Sequence, residues 1–128
     1  MATISEDYVS FEIAKLLKEK GFNTPLLTFY LTDKDRKEGY FQTMAFTDDV
    51  IDNNHSDICY LAPTLQMAMK WLREVHNIAI DTEWEHLWYA YVKPMTANPS
   101  EDDYCQRFSA KYEEACEEAI KYCLEHLI

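Results

Sequence analysis

Glycine is almost missing from this chain of 128 residues, which holds two glycines and four prolines. A loop that wraps around phosphate needs several glycines close together, because a backbone without side chains comes nearest to the ligand. Gly21 and Gly39 lie far apart, so the sequence argues against a nucleotide-dependent enzyme. The same scarcity excludes collagen-like and low-complexity chains.

Positive charge is also scarce, since 12 Lys and Arg stand against 23 Asp and Glu and the formal net charge is −11. Proteins that bind nucleic acid or anionic membranes normally present a basic face. The most basic stretches here, residues 15–20 and 34–37, are interleaved with acidic residues. We therefore predict no direct contact with nucleic acid and none with a membrane, whereas a basic protein partner is electrostatically allowed.

Long hydrophobic runs and paired cysteine motifs are absent from the sequence. No apolar run approaches the roughly 18 residues of a membrane-spanning helix, and residues 1–7 lack the pattern of a signal peptide. None of the four cysteines forms a C-x-x-C motif. Cys116 and Cys123 lie on one predicted helix, about 10 Å apart and too far for a disulfide. These features predict a cytoplasmic protein with free, mostly buried thiols.

The spacing of apolar residues predicts a first amphipathic helix near the N-terminus. Ser5 is the predicted N-cap, and Val9 begins the apolar stripe. Gly21 is suited to the left-handed position that ends a helix, which allows Phe22 to fold back as its hydrophobic partner.

Two further helices follow from the same periodicity. The second begins after Pro63 and Thr64, carries Val75 on its apolar stripe, and ends at Asn77 in a left-handed conformation. The third begins at Ser109 and runs nearly to the end of the chain.

Alternation and β-forming residues predict two hairpins, one from residues 25–31 with 40–46 and one from residues 78–84 with 87–93. Residues 32–39 are predicted to be the charged loop of the first hairpin, and three further segments are predicted to be connections: residues 47–57, 58–61 and 95–107.

The predicted fold class is α+β, in the order α-β-β-α-β-β-α. Each hairpin has an apolar face that needs a cover, and the helices supply it. We therefore predict one antiparallel sheet made of two hairpins with three helices packed on it. No linker interrupts the pattern, so residues 1–128 are predicted to form a single domain.

Metal binding is not supported by the spacing of potential ligands. If Asp52 opened a calcium-binding loop, Asp57 would occupy the place of the required glycine and Pro63 that of the bidentate glutamate. The histidines and cysteines lack the paired spacing of a structural zinc site. We predict a solvated acidic loop, with neither a metal ion nor a cofactor.

A catalytic centre is likewise not predicted, although the thiols leave one alternative open. Cys59 and Cys105 are the two cysteines that the sequence does not assign to a buried helix face, so a small cysteine-dependent enzyme stays possible. Asp81, Glu83 and Glu85 share one face of a strand, which is more typical of a polar face in contact with water than of acid–base catalysis.

Aromatic residues are numerous, and several of them gather in the second hairpin. Both faces of the strand at residues 87–93 carry aromatics, so one set is expected to be exposed, and exposed Tyr and Trp are enriched at interfaces. The predicted partner-binding residues are Trp84, Trp88, Tyr89, Tyr91, Asp48, Asp49, Asp52 and Asp57.

Three stretches, residues 8–22, 63–78 and 112–125, resemble a family of small uncharacterised proteins of gut bacteria that are often carried on prophages and mobile elements. The resemblance covers the three predicted helices, about 45 residues. It implies a cytoplasmic accessory protein, and it carries over neither an activity nor catalytic residues.

The first functional hypothesis is thus a non-enzymatic accessory protein that acts through protein contacts or self-association, for example as a homodimer. A second is an acidic inhibitor that mimics nucleic acid with the aspartates of residues 47–57 and the glutamates of residues 113–118. A third is the cysteine-dependent enzyme.

Overall fold

A computed structural model describes residues 6–32, 38–43, 59–96 and 104–128. The described residues form three helices and six strands in the order α-β-β-β-α-β-β-β-α. The elements are α1 (Phe11–Glu19), β1 (Thr28–Thr32), β2 (Gly39–Thr43), β3 (Cys59–Leu61), α2 (Leu65–His76), β4 (Ile78–Glu85), β5 (Leu87–Pro94), β6 (Cys105–Ser109) and α3 (Tyr112–Tyr122), which continues as a π-helical turn over Cys123–Leu127.

The α+β class and both predicted hairpins are confirmed, and each half of the chain gains one strand. Cys59–Leu61, within the connection predicted at 58–61, forms β3, and β6 begins at Cys105, within the loop predicted at 95–107. The strands also make two antiparallel sheets, β2-β1-β3 and β4-β5-β6, in the described residues instead of one sheet.

The chain divides into two compact units, Met1–Thr64 and Leu65–Ile128. That residues 1–128 form a single domain stays a prediction.

The first unit is built around β1, which pairs with β2 on one side and with β3 on the other. Phe11 of α1 packs against the rings of Tyr30 and Tyr60 at centroid distances of 5.6 and 5.5 Å. A Cβ atom on Gly39 would overlap the Phe11 ring, so the close approach of α1 to β2 requires glycine at this position.

The predicted start of α1 at Ser5 is wrong, because the helix begins at Phe11 with Ser10 as its N-cap. The Ser10 hydroxyl accepts a hydrogen bond from the amide of Ile13 at 3.3 Å. Val9 lies before the helix, where its amide donates to the carbonyl of Pro63 at 3.0 Å. Together with the antiparallel bridge between Tyr8 and Thr64, this long-range pairing engages the two residues that come directly before Ser10.

The predicted end of α1 is confirmed by its hydrogen bonds. Gly21 has a φ of +92°, its amide donates to Lys18, and the amide of Phe22 donates to Leu17 at 2.9 Å. This is the pattern of a Schellman motif, and the Phe22 side chain is buried beside it. Asn77 ends α2 in the same left-handed region, with a φ of 56°.

The second unit places α2 and α3 against one face of the sheet β4-β5-β6. Ala90 and Val92 of β5 and Ile78 of β4 are buried on this inner face. The helices contribute the rest of the core of this unit: Leu65, Ala68, Met69, Leu72, Ala115, Cys116, Ala119, Ile120, Cys123 and Leu124. Val75 was predicted to belong to the apolar stripe of α2, but it is 57% exposed.

Candidate protein-binding surface

The face of the second sheet that points away from α2 and α3 carries a mixed set of aromatic and charged side chains. We call it the outer face. Because successive side chains of a strand alternate between faces, this face is defined by the register opposite to that of buried Ala90 and Val92. Its residues are Asp81, Glu83 and Glu85 on β4, Tyr89, Tyr91 and Lys93 on β5, and Gln106 and Phe108 on β6.

An aromatic row crosses the outer face from β5 to β6. The rings of Tyr89 and Tyr91 are stacked, with centroids 6.1 Å apart and planes inclined by 13°. Phe108 lies opposite Tyr89, with ring centroids 5.9 Å apart. The Phe108 side chain is 61% exposed, so a large apolar surface is left in contact with water.

A column of carboxylates runs beside this row on β4. Asp81 lies opposite Tyr91 and Glu83 lies opposite Tyr89 in the strand register, and both acids are exposed. Lys93 donates a hydrogen bond to Asp81 Oδ2 at 2.8 Å, and its Nζ lies 5.9 Å from the centre of the Tyr91 ring. A cation therefore already contacts both components of the outer face.

Two shallow hollows flank Lys93. One, of about 540 Å³, is lined by Asp81, Thr82, Glu83, Tyr91 and Lys93. The other, of about 280 Å³, adjoins the first residues of β6 and is lined by Tyr91, Val92, Lys93, Tyr104, Cys105 and Gln106. Both are open to the surface, so a partner has space beside the aromatic row.

The carboxylates of β4 contribute to raised pKa values at two side chains of this face. The pKa of Tyr91 is raised, first because its phenol is partly removed from water and then because Glu83, Tyr89 and Glu85 disfavour the phenolate. The pKa of Lys93 is raised by its hydrogen bond to Asp81 and by the charge of that carboxylate. In both cases the contribution of the neighbouring carboxylates favours positive charge and disfavours negative charge at the outer face.

The four aromatics predicted to bind a partner do not share one surface. Tyr89 and Tyr91 lie on the outer face, whereas Trp84 and Trp88 have the register of the inner face. Trp88 packs against Tyr112 of α3 with ring centroids 5.0 Å apart. Trp84 lies near the turn of the hairpin, beside His86, and is 61% exposed. The predicted aspartates Asp48, Asp49, Asp52 and Asp57 lie outside the described residues.

Two residues of the outer face, Phe108 and Lys93, were not among the predicted partner-binding residues. Phe108 fell between the predicted loop at residues 95–107 and the third helix, which was predicted to begin at Ser109, and it was assigned to neither. Lys93 was read as the end of a strand, without a role. The signal that identifies both is the register, because Phe108 pairs with Tyr89 and Lys93 is two residues from Tyr91 on the same face.

None of the four cysteines, all of which lie in the described part of the chain, forms a disulfide. Cys59, named as a possible nucleophile, is only 3% exposed. Cys105, the other candidate, is half-buried on the inner face, and Arg107 Nη1 donates a hydrogen bond to its Sγ at 2.9 Å. Burial raises the pKa of the Cys123 thiol to about 12.

Thiol labelling of the native protein near neutral pH is expected to modify Cys105 first. Cys59, Cys116 and Cys123 are buried, and a thiol with a pKa near 12 supplies almost no thiolate for the reaction. A colorimetric disulfide reagent should therefore report one fast phase, with the other three thiols reacting only after unfolding. Cys105→Ala should remove the fast phase, and Cys123→Ala should leave it unchanged. A fast phase that persists in Cys105→Ala would show that one of the other three thiols is accessible, contrary to their assignment as buried.

Two further observations concern metal ions and membranes. Within residues 6–32, 38–43, 59–96 and 104–128, no three His, Cys, Asp or Glu side chains are grouped so as to hold a metal ion. Of the helices in those same ranges, none has the length and apolar character needed to cross a bilayer.

Comparison with known proteins returns no relative: no family model, no curated protein and no solved structure matches the chain significantly. The resemblance to small proteins of gut bacteria and their prophages stays a prediction.

Proposed function

We propose that this chain is a non-catalytic accessory protein that acts by binding another protein, and that the outer face of the second sheet is its binding surface. The observation that carries the proposal is the exposed Phe108 ring beside the stacked pair Tyr89 and Tyr91. Rigid aromatic rings provide large contact areas at low entropic cost, which is why Tyr and Phe are enriched at protein interfaces.

The face also offers the polar surroundings that a specific interface needs. Carboxylates line one side of the aromatic row, and Gln106 is exposed on β6, next to Phe108 in the alternation of that strand. An apolar centre with polar groups around it is the arrangement expected of a protein-binding surface.

A single-stranded nucleic acid is a poor match for the same face, even though sheets with exposed aromatics serve as platforms for bases. Such platforms combine rings with a positive groove that follows the phosphates. Here Asp81, Glu83 and Glu85 flank the rings, with Lys93 paired to Asp81. Phosphates would meet carboxylates, which costs binding energy.

The two alternative hypotheses, an acidic inhibitor and a cysteine-dependent enzyme, stay predictions. The acids proposed to mimic nucleic acid between residues 47 and 57 lie outside the described residues. Cysteine-dependent catalysis has lost support at Cys59, which is buried. The cytoplasmic location and the mobile-element origin stay predictions.

Photo-crosslinking from single positions tests the proposal in the organism that encodes the protein. A photoreactive phenylalanine analogue at position 108 is expected to form one discrete adduct with another protein. The matched control carries the same analogue at position 118, since Glu118 is exposed on α3. An adduct from position 108 that is absent from position 118 supports the proposal. No protein adduct from position 108, or equal capture from both positions, contradicts it.

A further inference from the structure

We infer, on the basis of the proposed function, that the partner presents an extended segment bearing Lys or Arg side chains, and that its cations bind between the carboxylates of β4 and the rings of Tyr89 and Tyr91. Electrostatic complementarity is the argument. The outer face combines Asp81, Glu83 and Glu85 with π-faces, and both kinds of group attract a cation.

Lys93 shows the proposed contact within the chain itself. Its ammonium group lies 2.8 Å from Asp81 Oδ2 and 5.9 Å from the centre of the Tyr91 ring. Glu83 and Glu85 have the same register on the same strand. They therefore offer carboxylates beside the aromatic row for cations supplied by a partner.

The spacing of the carboxylates favours an extended ligand. Alternate side chains of a strand are roughly 6.8 Å apart, both on β4 and on any extended peptide that lies along it. A peptide with basic residues at every second position therefore brings each cation to one carboxylate of the column. The hollow that reaches Thr82 provides space along β4 for such a segment.

A second copy of this chain is a poor occupant of the same face. In a two-fold arrangement each outer face meets an identical one, and an axis that passes beside β4 brings Glu83 and Glu85 close to the acids of the other copy. The formal net charge of −11 adds further repulsion between copies. A basic protein segment meets neither penalty.

The test uses the full chain and a fluorescent peptide of eight residues, the length of β4, in which arginine alternates with threonine. Binding is followed by fluorescence anisotropy. We expect saturable binding that weakens steeply as the ionic strength rises from about 0.05 to about 0.5 M. A peptide with glutamate in place of arginine, and a single-stranded oligonucleotide, should not bind.

Matched variants locate the binding surface. Glu83→Gln with Glu85→Gln should weaken binding of the arginine peptide by about tenfold or more. Glu113→Gln with Glu114→Gln removes the same charge from the exposed side of α3 and should change binding by less than about twofold. Lys93→Gln should strengthen binding about threefold, because it frees Asp81 for the peptide.

Several results would overturn the inference. If the two double variants, at Glu83 and Glu85 and at Glu113 and Glu114, lose the same affinity for the arginine peptide, only net charge attracts the peptide. If Lys93→Gln binds the peptide no more tightly than the unmodified chain does, the cation of the peptide binds elsewhere. Binding of the oligonucleotide in preference to the peptide would replace a basic partner by nucleic acid. If the photoreactive analogue at position 108 captures a protein but the arginine peptide does not bind, the inference of a basic extended partner segment fails, while the proposed function stands.

Discussion

Replacing Leu124 by alanine is expected to lower the free energy of unfolding by about 3 kcal/mol. The Leu124 side chain is completely buried in the π-helical turn that follows α3, next to buried Cys123. Truncation removes apolar contacts and leaves a cavity that neighbouring helix and sheet residues fill only in part. The loss is measured by urea denaturation, as a shift of the midpoint at unchanged slope.

Glu125→Ala is the matched control for Leu124→Ala. Glu125 is the next residue and is exposed, so its replacement should change the free energy of unfolding by no more than about 0.5 kcal/mol. If Leu124→Ala costs less than about 1 kcal/mol, or if the two variants are equally destabilised, the packing of the C-terminal helix described above is wrong.

Replacing Phe22 by alanine is expected to cost about 3 to 4 kcal/mol in the first unit. The ring is 1% exposed, and its position is set by the amide hydrogen bond from Phe22 to Leu17 and by the left-handed Gly21. Removing the ring leaves the Schellman motif without its hydrophobic partner. Circular dichroism during thermal or urea unfolding measures the effect.

Leu27→Ala provides the comparison for Phe22→Ala. Leu27 is 41% exposed, so its truncation removes fewer contacts and should cost about 1 kcal/mol or less. If Phe22→Ala and Leu27→Ala have the same free energy of unfolding, the assignment of Phe22 to the core is contradicted.

The ends of α1 and α2 were predictable because local chemistry decides them. Gly and Asn adopt positive φ at low cost, and an apolar residue follows each of them. The start of α1 was not predictable in this way. Ser5 and Ser10 are both suitable caps, and the choice depends on the pairing of Val9 with Pro63, which are distant in sequence.

Strand β6 was missed because its alternation is inverted. Its inner face carries Arg107, whose guanidinium carbon lies 5.0 Å from the centre of the Tyr122 ring, while Phe108 points to the outer face. Strands are predicted from apolar residues on the inner face and polar residues on the outer face. This segment lacks that pattern, so most of it was predicted to be a loop. Tertiary packing of a cation on an aromatic ring reverses the rule.

The candidate surface was predictable only in part, because it depends on which face of the second sheet the helices cover. The sequence placed aromatics on both faces of the second hairpin, but it did not decide which face the helices cover. The burial of Ala90 and Val92 decides it: α2 and α3 cover the face that Trp88 shares, and Tyr89 and Tyr91 are left outside. The acids Asp81, Glu83 and Glu85, predicted to form a polar face, then become neighbours of those rings.

The most direct test of the central claim is an NMR titration of the isotope-labelled full chain with the alternating arginine peptide. The account predicts that the largest shifts of amide signals occur at Glu83, Glu85, Tyr89, Tyr91 and Phe108, with little change along the exposed side of α3. If the peptide binds and the largest shifts fall instead on Glu113, Glu114 and Glu118, the outer face is not the binding surface.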